Sequence, residues 1–168
     1  MTPLKILYIC THNRCRSALS EAITNQNGIR NNQQRLIAKS AGSAPAGQVH
    51  PLTLKYLQQA GYSVEGLTSN SWEDKEYLAG FEPDLLITVC DNAAGESCPV
   101  WLGQLPNLTK LHWGLKDPSK DTQDEVQTQQ NFEHCIAIIE QRVEQLLQIA
   151  EMDEPNRRQA LKDLVSNN

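Results

Sequence analysis

The sequence predicts an α/β fold: a three-layer sandwich with a four-stranded parallel sheet between helices. Three observations carry this. Apolar runs of strand length alternate with helix-period segments along the chain. The run Leu85-Leu86-Ile87-Thr88-Val89-Cys90 is continuously apolar, as in a strand covered on both faces. At 168 residues the chain fits one domain with a single core. Residues 1–152 are expected to form that domain, with a helical tail over 153–168.

Taken in order, Leu4, Ile6, Leu7, Tyr8 and Ile9 give the first strand, Cys10-Thr11-His12-Asn13-Arg14-Cys15-Arg16 a loop, and Ser17 the opening of a helix. A short second strand covers 36–42 and ends in Gly42. A helix over 50–60 follows, with Leu52, Leu54 and Leu57 on its apolar side and Gly61 as its stop. Residues 72–78 read as another short helix. The third strand is 85–90 and the fourth 108–113. A long helix from about Thr122 to Ile149 closes the fold, with Ile136, Ile139, Val143, Leu146 and Leu147 on one stripe. Cys135 falls in its apolar part and is expected in the core.

Chemistry concentrates at the first strand-to-helix junction. A strand, a tight loop and a helix N-terminus aim successive N–H groups and the helix dipole at one spot, which suits a tetrahedral oxyanion. The same field favours negative sulfur, so Cys10 is expected to be a depressed-pKa thiolate. Arg16 closes the loop with a planar fork that can grip two oxyanion oxygens. Cys15 is expected to turn into the core beneath the loop. Asn13 is expected to take a left-handed backbone and bond across the loop. Parallel topology brings Cys10, Cys90 and Asp117 to the same carboxyl edge of the sheet. An acid above an anion cradle is what expulsion of oxygen from a tetrahedral centre needs.

Composition restricts the setting. The net charge is −5 and no Lys/Arg stripe occurs, so a nucleic-acid partner is not expected. No apolar run approaches the roughly 20 residues of a membrane span. The start of the chain has no signal-peptide pattern, so a cytoplasmic protein is expected, with no membrane partner. Five cysteines in such a compartment point to catalysis, redox work or metal rather than to structural disulfides.

The string Cys10-Thr11-His12-Asn13-Arg14-Cys15-Arg16-Ser17 resembles the anion loop of low-molecular-weight protein tyrosine phosphatases. Cys90-Asp91-Asn92-Ala93-Ala94-Gly95-Glu96-Ser97-Cys98 and His112-Trp113-Gly114 with Asp117-Pro118 resemble the thioredoxin-coupled arsenate reductases built on that fold. The resemblance runs from residue 4 to about 150. It implies an oxyanion loop of Thr11, His12, Asn13, Arg14, Cys15 and Arg16, and an arsenate substrate. Cys10 would be the nucleophile, Ser17 a donor to its thiolate and Asp117 the acid. A disulfide would pass from Cys10–Cys90 to Cys90–Cys98. It implies no tightly bound cofactor, and an external thiol reductant. The loop between Cys90 and Cys98 is one residue longer than the thioredoxin-coupled pattern, so glutaredoxin or glutathione stands beside thioredoxin as donor. Some relatives hold potassium near positions matching Asn13, Glu21, Ser40 and Thr68; Asn70 replaces their aspartate, and no metal is assigned.

Two other readings compete. A phosphatase for tyrosyl or aryl phosphates needs only Cys10, Arg16 and Asp117, but Ser119 stands where an aromatic residue would hold the ring. A zinc or redox module would use Cys10, Cys15, Cys90 and Cys98, whose spacings are not those of paired zinc ligands.

Overall fold

β1 (Leu4–Ile9) is a central strand of the sheet in the computed structural model, which describes residues 2–120 and 123–167. It pairs in parallel with β4 (Leu36–Ala41) on one side and β5 (Leu85–Thr88) on the other, and β6 (Thr109–His112) extends the sheet beyond β5. The order is β4-β1-β5-β6, so the α/β sandwich with four parallel strands is as expected. Register puts Ile6 beside Leu85 and Tyr8 beside Ile87 on one face, and Leu7 beside Leu86 and Ile9 beside Thr88 on the other.

The first face is covered by α1 (Arg16–Asn27), α2 (Pro51–Gln59) and α5 (Glu125–Ala150), which pack on one another. Tyr8 reaches into this layer and its hydroxyl bonds Thr24 Oγ1 at 2.8 Å. Leu19, Ile23 and Phe132 are buried there, and the stripe from Ile136 to Leu147 is buried as expected. Asp124 caps α5 by accepting from the amides of Val126 and Gln127. Thr122, the expected start of that helix, lies outside the described residues. Opposite are the 72–81 segment, α3 (Asp91–Ala94) and α4 (Val100–Gly103), with Trp72, Leu86 and Ala93 around a common cavity. The tail forms α6 (Glu154–Ser166), capped by Asp153 and packed on α5 and β6.

Three local expectations change, and one element is added. Residues 72–78 form consecutive turns instead of a helix. Trp72 N–H is taken by Gly42 O and Trp72 O by the Trp101 indole, while Asp74 Oδ1 takes the amides of Glu76 and Tyr77. These bonds divert the backbone groups of Trp72 and the amides after Asp74 from a continuous helical ladder, leaving single turns such as Leu78 N–H to Asp74 O. In α2 the buried residues are Thr53, Tyr56 and Leu57, with Leu52 and Leu54 half-buried. Tyr56 stacks on Phe132 at 4.7 Å and Thr53 Oγ1 donates to Arg14 O, which rotates the helix off its leucines. β5 stops at Thr88, so Cys90 lies past the strand and caps α3. Finally, β2 (Ile29–Arg30) and β3 (Gln33–Gln34) form a small hairpin. Its turn residues Asn31 and Asn32 both have positive φ, as a tight two-residue turn requires.

Candidate active site

The loop between β1 and α1 is held open by its carbonyls. Thr11 O accepts from Ala44 N, His12 O from Ala46 N and Ser69 Oγ, and Arg14 O from His50 N and Thr53 Oγ1. With the oxygens drawn outward, amides turn inward: His12 N–H bonds the Cys10 sulfur and Thr11 N–H reaches Cys90 Sγ at 3.4 Å. Gly42 is required here, because a Cβ would stand 2.4 Å from Thr11 O and 2.5 Å from Cys10 O.

Asn13 fixes the turn. It is fully buried with φ 46°, donates to Ser17 Oγ at 2.8 Å and Ser40 Oγ at 2.9 Å, and accepts from Asn70 N at 2.8 Å. The left-handed conformation read from the sequence is therefore present. Ser17 Oγ, occupied as an acceptor, keeps its own proton to give. Cys15 is buried beneath the loop as expected; burial pushes its thiol up to about 12 against the Thr53 hydrogen bond. Cys135 is buried as well, and burial raises it to about 12. Both behave as small apolar core residues.

Arg16 leans across the cradle. Its Nη1 donates to Leu115 O at 3.1 Å, and Nη2 lies 3.8 Å from Asp117 Oδ2. Its Nε is buried with no hydrogen-bond partner among the described residues, a donor that a bound oxyanion would satisfy. Asp117 Oδ1 accepts from Ser119 N at 2.9 Å and Ser119 Oγ at 2.6 Å. Burial pushes the Asp117 carboxyl up, but the two Ser119 bonds, with Arg16 and Arg14, hold it below the ordinary carboxylate value.

The topology does bring Cys10, Cys90 and Asp117 to one edge, yet the charge differs from expectation. Cys10 and Cys90 share a hydrogen bond, and that bond followed by burial pushes the Cys10 thiol far up, outweighing Arg16 and the His12 amide. The same bond, with the amides of Thr11 and Ala93, lowers Cys90 to about 4 despite burial. The pair therefore keeps one proton between its two sulfurs, and the amides of Thr11 and Ala93 favour the negative charge on Cys90. A depressed Cys10 followed from the loop alone; the second sulfur overturns it.

Cys98 is a half-buried free thiol between α3 and α4, on the wall of a cavity of about 540 Å³. Sequence reasoning missed two groups here. Glu96 Oε1 accepts from Thr11 Oγ1 at 3.0 Å, tying the 90s loop to the anion loop. On the same side, His112 stands between Thr88 Oγ1 at 2.8 Å and Asp91 Oδ1 at 3.2 Å. The register pairing Thr88 with His112 was the signal available for the second.

The positions matching the relatives' cation site do not fit a cation. Asn13 Nδ2 donates to Ser40 Oγ and Asn70 Nδ2 to Thr68 Oγ1, and Ser40 Oγ donates to Glu21 Oε1 at 2.7 Å. The hydroxyl oxygens of Ser40 and Thr68 accept from side-chain amides and Glu21 Oε1 from the hydroxyls of Ser40 and Tyr77, and no step is derived through a metal there. Among the described residues, no group of three or more His, Cys, Asp or Glu side chains gathers where it could hold a metal ion.

A strand, a loop with a cysteine at its start and an arginine at its end, and an aspartate facing that arginine define the class of α/β proteins with a cysteine-and-arginine loop at the carboxyl edge of a parallel sheet. The chain belongs to the low-molecular-weight phosphotyrosine protein phosphatase family of enzymes, whose pattern matches residues 5–158. Within it, the chain is 32% identical over 114 residues to arsenate reductase 2 of Staphylococcus haemolyticus, covering 68% of this chain and 78% of that protein. It is also 32% identical over 121 residues to the arsenate reductase of Bacillus licheniformis, covering 71% and 78%. The fold matches that of a Corynebacterium glutamicum thioredoxin-dependent arsenate reductase with a TM-score of 0.63 at 24% identity. That match covers 91% of this chain and 65% of the other, so this chain spans under two thirds of that neighbour.

Proposed function

We propose that the protein reduces arsenate to arsenite in the cytoplasm through Cys10, Cys90 and Cys98. The observation that carries this is the Cys90 sulfur seated against Cys10 and the anion loop. A hydrolytic phosphatase needs no second thiol there, whereas reducing arsenic by two electrons needs a sulfur able to take the first in a disulfide.

Arg16 and the loop amides hold arsenate. As Cys10 attacks arsenic, its proton passes along the shared hydrogen bond to Cys90. The oxyanion competes with Asp117 for Arg16 and brings a proton of its own, which Asp117 delivers to the oxygen leaving as water. Cys90 then attacks the Cys10 sulfur. The S–S bond forms, the arsenic–sulfur pair stays on arsenic, and arsenic(V) leaves as arsenite with the Cys90 proton on oxygen. Cys98 attacks Cys90, which frees Cys10 and leaves a Cys90–Cys98 disulfide. A dithiol reductant of the thioredoxin type closes the cycle, with glutaredoxin and glutathione as the other donor class. The printed name of the Corynebacterium glutamicum neighbour supports the first.

The test is arsenate-dependent NADPH consumption with thioredoxin and its reductase, repeated with glutaredoxin and glutathione. Sustained turnover by the wild type and a single turnover by Cys98→Ser are expected. Multiple turnovers by Cys98→Ser remove the relay, and aryl phosphate hydrolysis without arsenate turnover replaces the reading with a phosphatase.

A further inference from the structure

We infer that Thr88, His112 and Asp91 form a proton relay that accepts the Cys98 proton when Cys98 attacks the Cys10–Cys90 disulfide. This rests on the three-cysteine reading above and adds a base to its last internal step. The hydrogen-bond chain fixes the roles. Asp91 is an acceptor at His112 Nε2, 3.2 Å away, so Nε2 carries the ring proton. The neutral ring is then bare at Nδ1, and the Thr88 hydroxyl donates to it at 2.8 Å. The order of hydroxyl, imidazole and carboxylate is that of activated-nucleophile sites, set here at the surface with the Asp91 carboxylate exposed.

Its position gives it a task. Thr88, His112 and Cys98 line the same cavity of about 540 Å³, together with Glu96, Lys110 and Trp72. Attack on a disulfide needs a thiolate, and an ordinary cysteine is mostly thiol at neutral pH. No step of the mechanism otherwise receives the Cys98 proton. Through Thr88 Oγ1 it passes to His112 Nδ1 while the Cys98–Cys90 bond forms, the Cys10–Cys90 bond breaks and Cys10 leaves as thiolate into the cradle. No net oxidation occurs. Gly114 keeps room for the ring, since a Cβ there would stand 3.1 Å from His112 Nε2 and 3.7 Å from Asp91 Oδ1. Asp91 from α3 and Thr88 from β5 bond the His112 ring, and the other titratable groups on the same cavity are Glu96, Cys98 and, from His112's own strand, Lys110.

The experiment is one turnover with one equivalent of arsenate and no reductant, quenched in acid, with Cys10–Cys90 and Cys90–Cys98 counted by mass spectrometry. In the wild type the first disulfide should convert to the second at a rate that falls as the solution is acidified through the imidazole range. His112→Gln should form the first disulfide, which reports a folded cradle, but convert it about 10- to 100-fold more slowly. Its pH dependence should move up to that of a thiol. Thr88→Val should behave alike, and Thr88→Ser should restore the wild-type profile. Conversion by His112→Gln at the wild-type rate and pH profile overturns the relay. If the wild type never forms Cys10–Cys90, the three-cysteine reading falls and takes the relay with it.

Discussion

A single proton between two sulfurs decides the resting state of the site. Cys90 is lowered to about 4 by its bond from Cys10, while Cys10 is raised, so this pair should hold one thiolate across the neutral range and not two. Thiolate absorbance near 240 nm checks this. Reduced protein should show one step as pH rises through about 4. Cys10→Ala removes the donor that stabilises the Cys90 thiolate and should move the step to higher pH. Cys90→Ala should remove the step at about 4 and leave Cys10 to ionise at higher pH, helped by Arg16 and the His12 amide. A step at about 4 that survives in Cys90→Ala would assign the thiolate to the wrong sulfur. Asp117 follows a related logic, because the Ser119 bonds that overcome burial keep it ionised until an oxyanion arrives. Ser119→Ala should raise its carboxyl pKa. An acid that must be protonated then works to higher pH, so the alkaline limb of arsenate turnover should shift upward.

At the scale of elements, the cradle is shaped by β4 and its exit as much as by the loop itself. Gly42 lies against the carbonyls of Thr11 and Cys10 with no room for a methyl group. Gly42→Ala should displace backbone rather than a flexible side chain, at a cost of about 1–3 kcal/mol. The expected readouts are a lower thermal midpoint and weaker protection by phosphate, used as an oxyanion probe. An unchanged midpoint with unchanged phosphate protection would show that the loop yields freely. The anion loop was legible in the sequence because strand, loop and helix are contiguous, and Asp117 because parallel topology gathers strand ends. Glu96 was not, since its partner Thr11 is 85 residues away. The turns over 72–78 were misread because Gly42 and Trp101 take the backbone groups of Trp72, which no local pattern reports. α3 and α4, at 4 residues each, are too short to show a period.

For the molecule as a whole, α6 ties the two ends of the fold together away from the cradle. Arg157 is buried, and its Nη2 donates to Thr2 O at 3.1 Å and to Ala150 O, the end of α5, at 2.6 Å. Arg35 Nη2 donates to the same Ala150 carbonyl at 2.7 Å. Two cations on the carbonyl end of a long helix complement its dipole and satisfy an oxygen that the helix itself leaves open. A tail helix was readable from the sequence; its clamp was not, because arginine is ordinarily a surface residue and nothing local marks Arg157 as buried. Arg157→Ala takes the charged donor from Thr2 O and leaves Ala150 O with Arg35 alone, and should lower unfolding stability by about 1–3 kcal/mol. Since α6 touches α5 and β6, phosphate affinity measured below the new midpoint should match the wild type. A variant that keeps full stability would reduce α6 to an appendage. One that loses phosphate affinity while still folded would couple the tail to the cradle through β6, the strand that leads to His112 and Asp117.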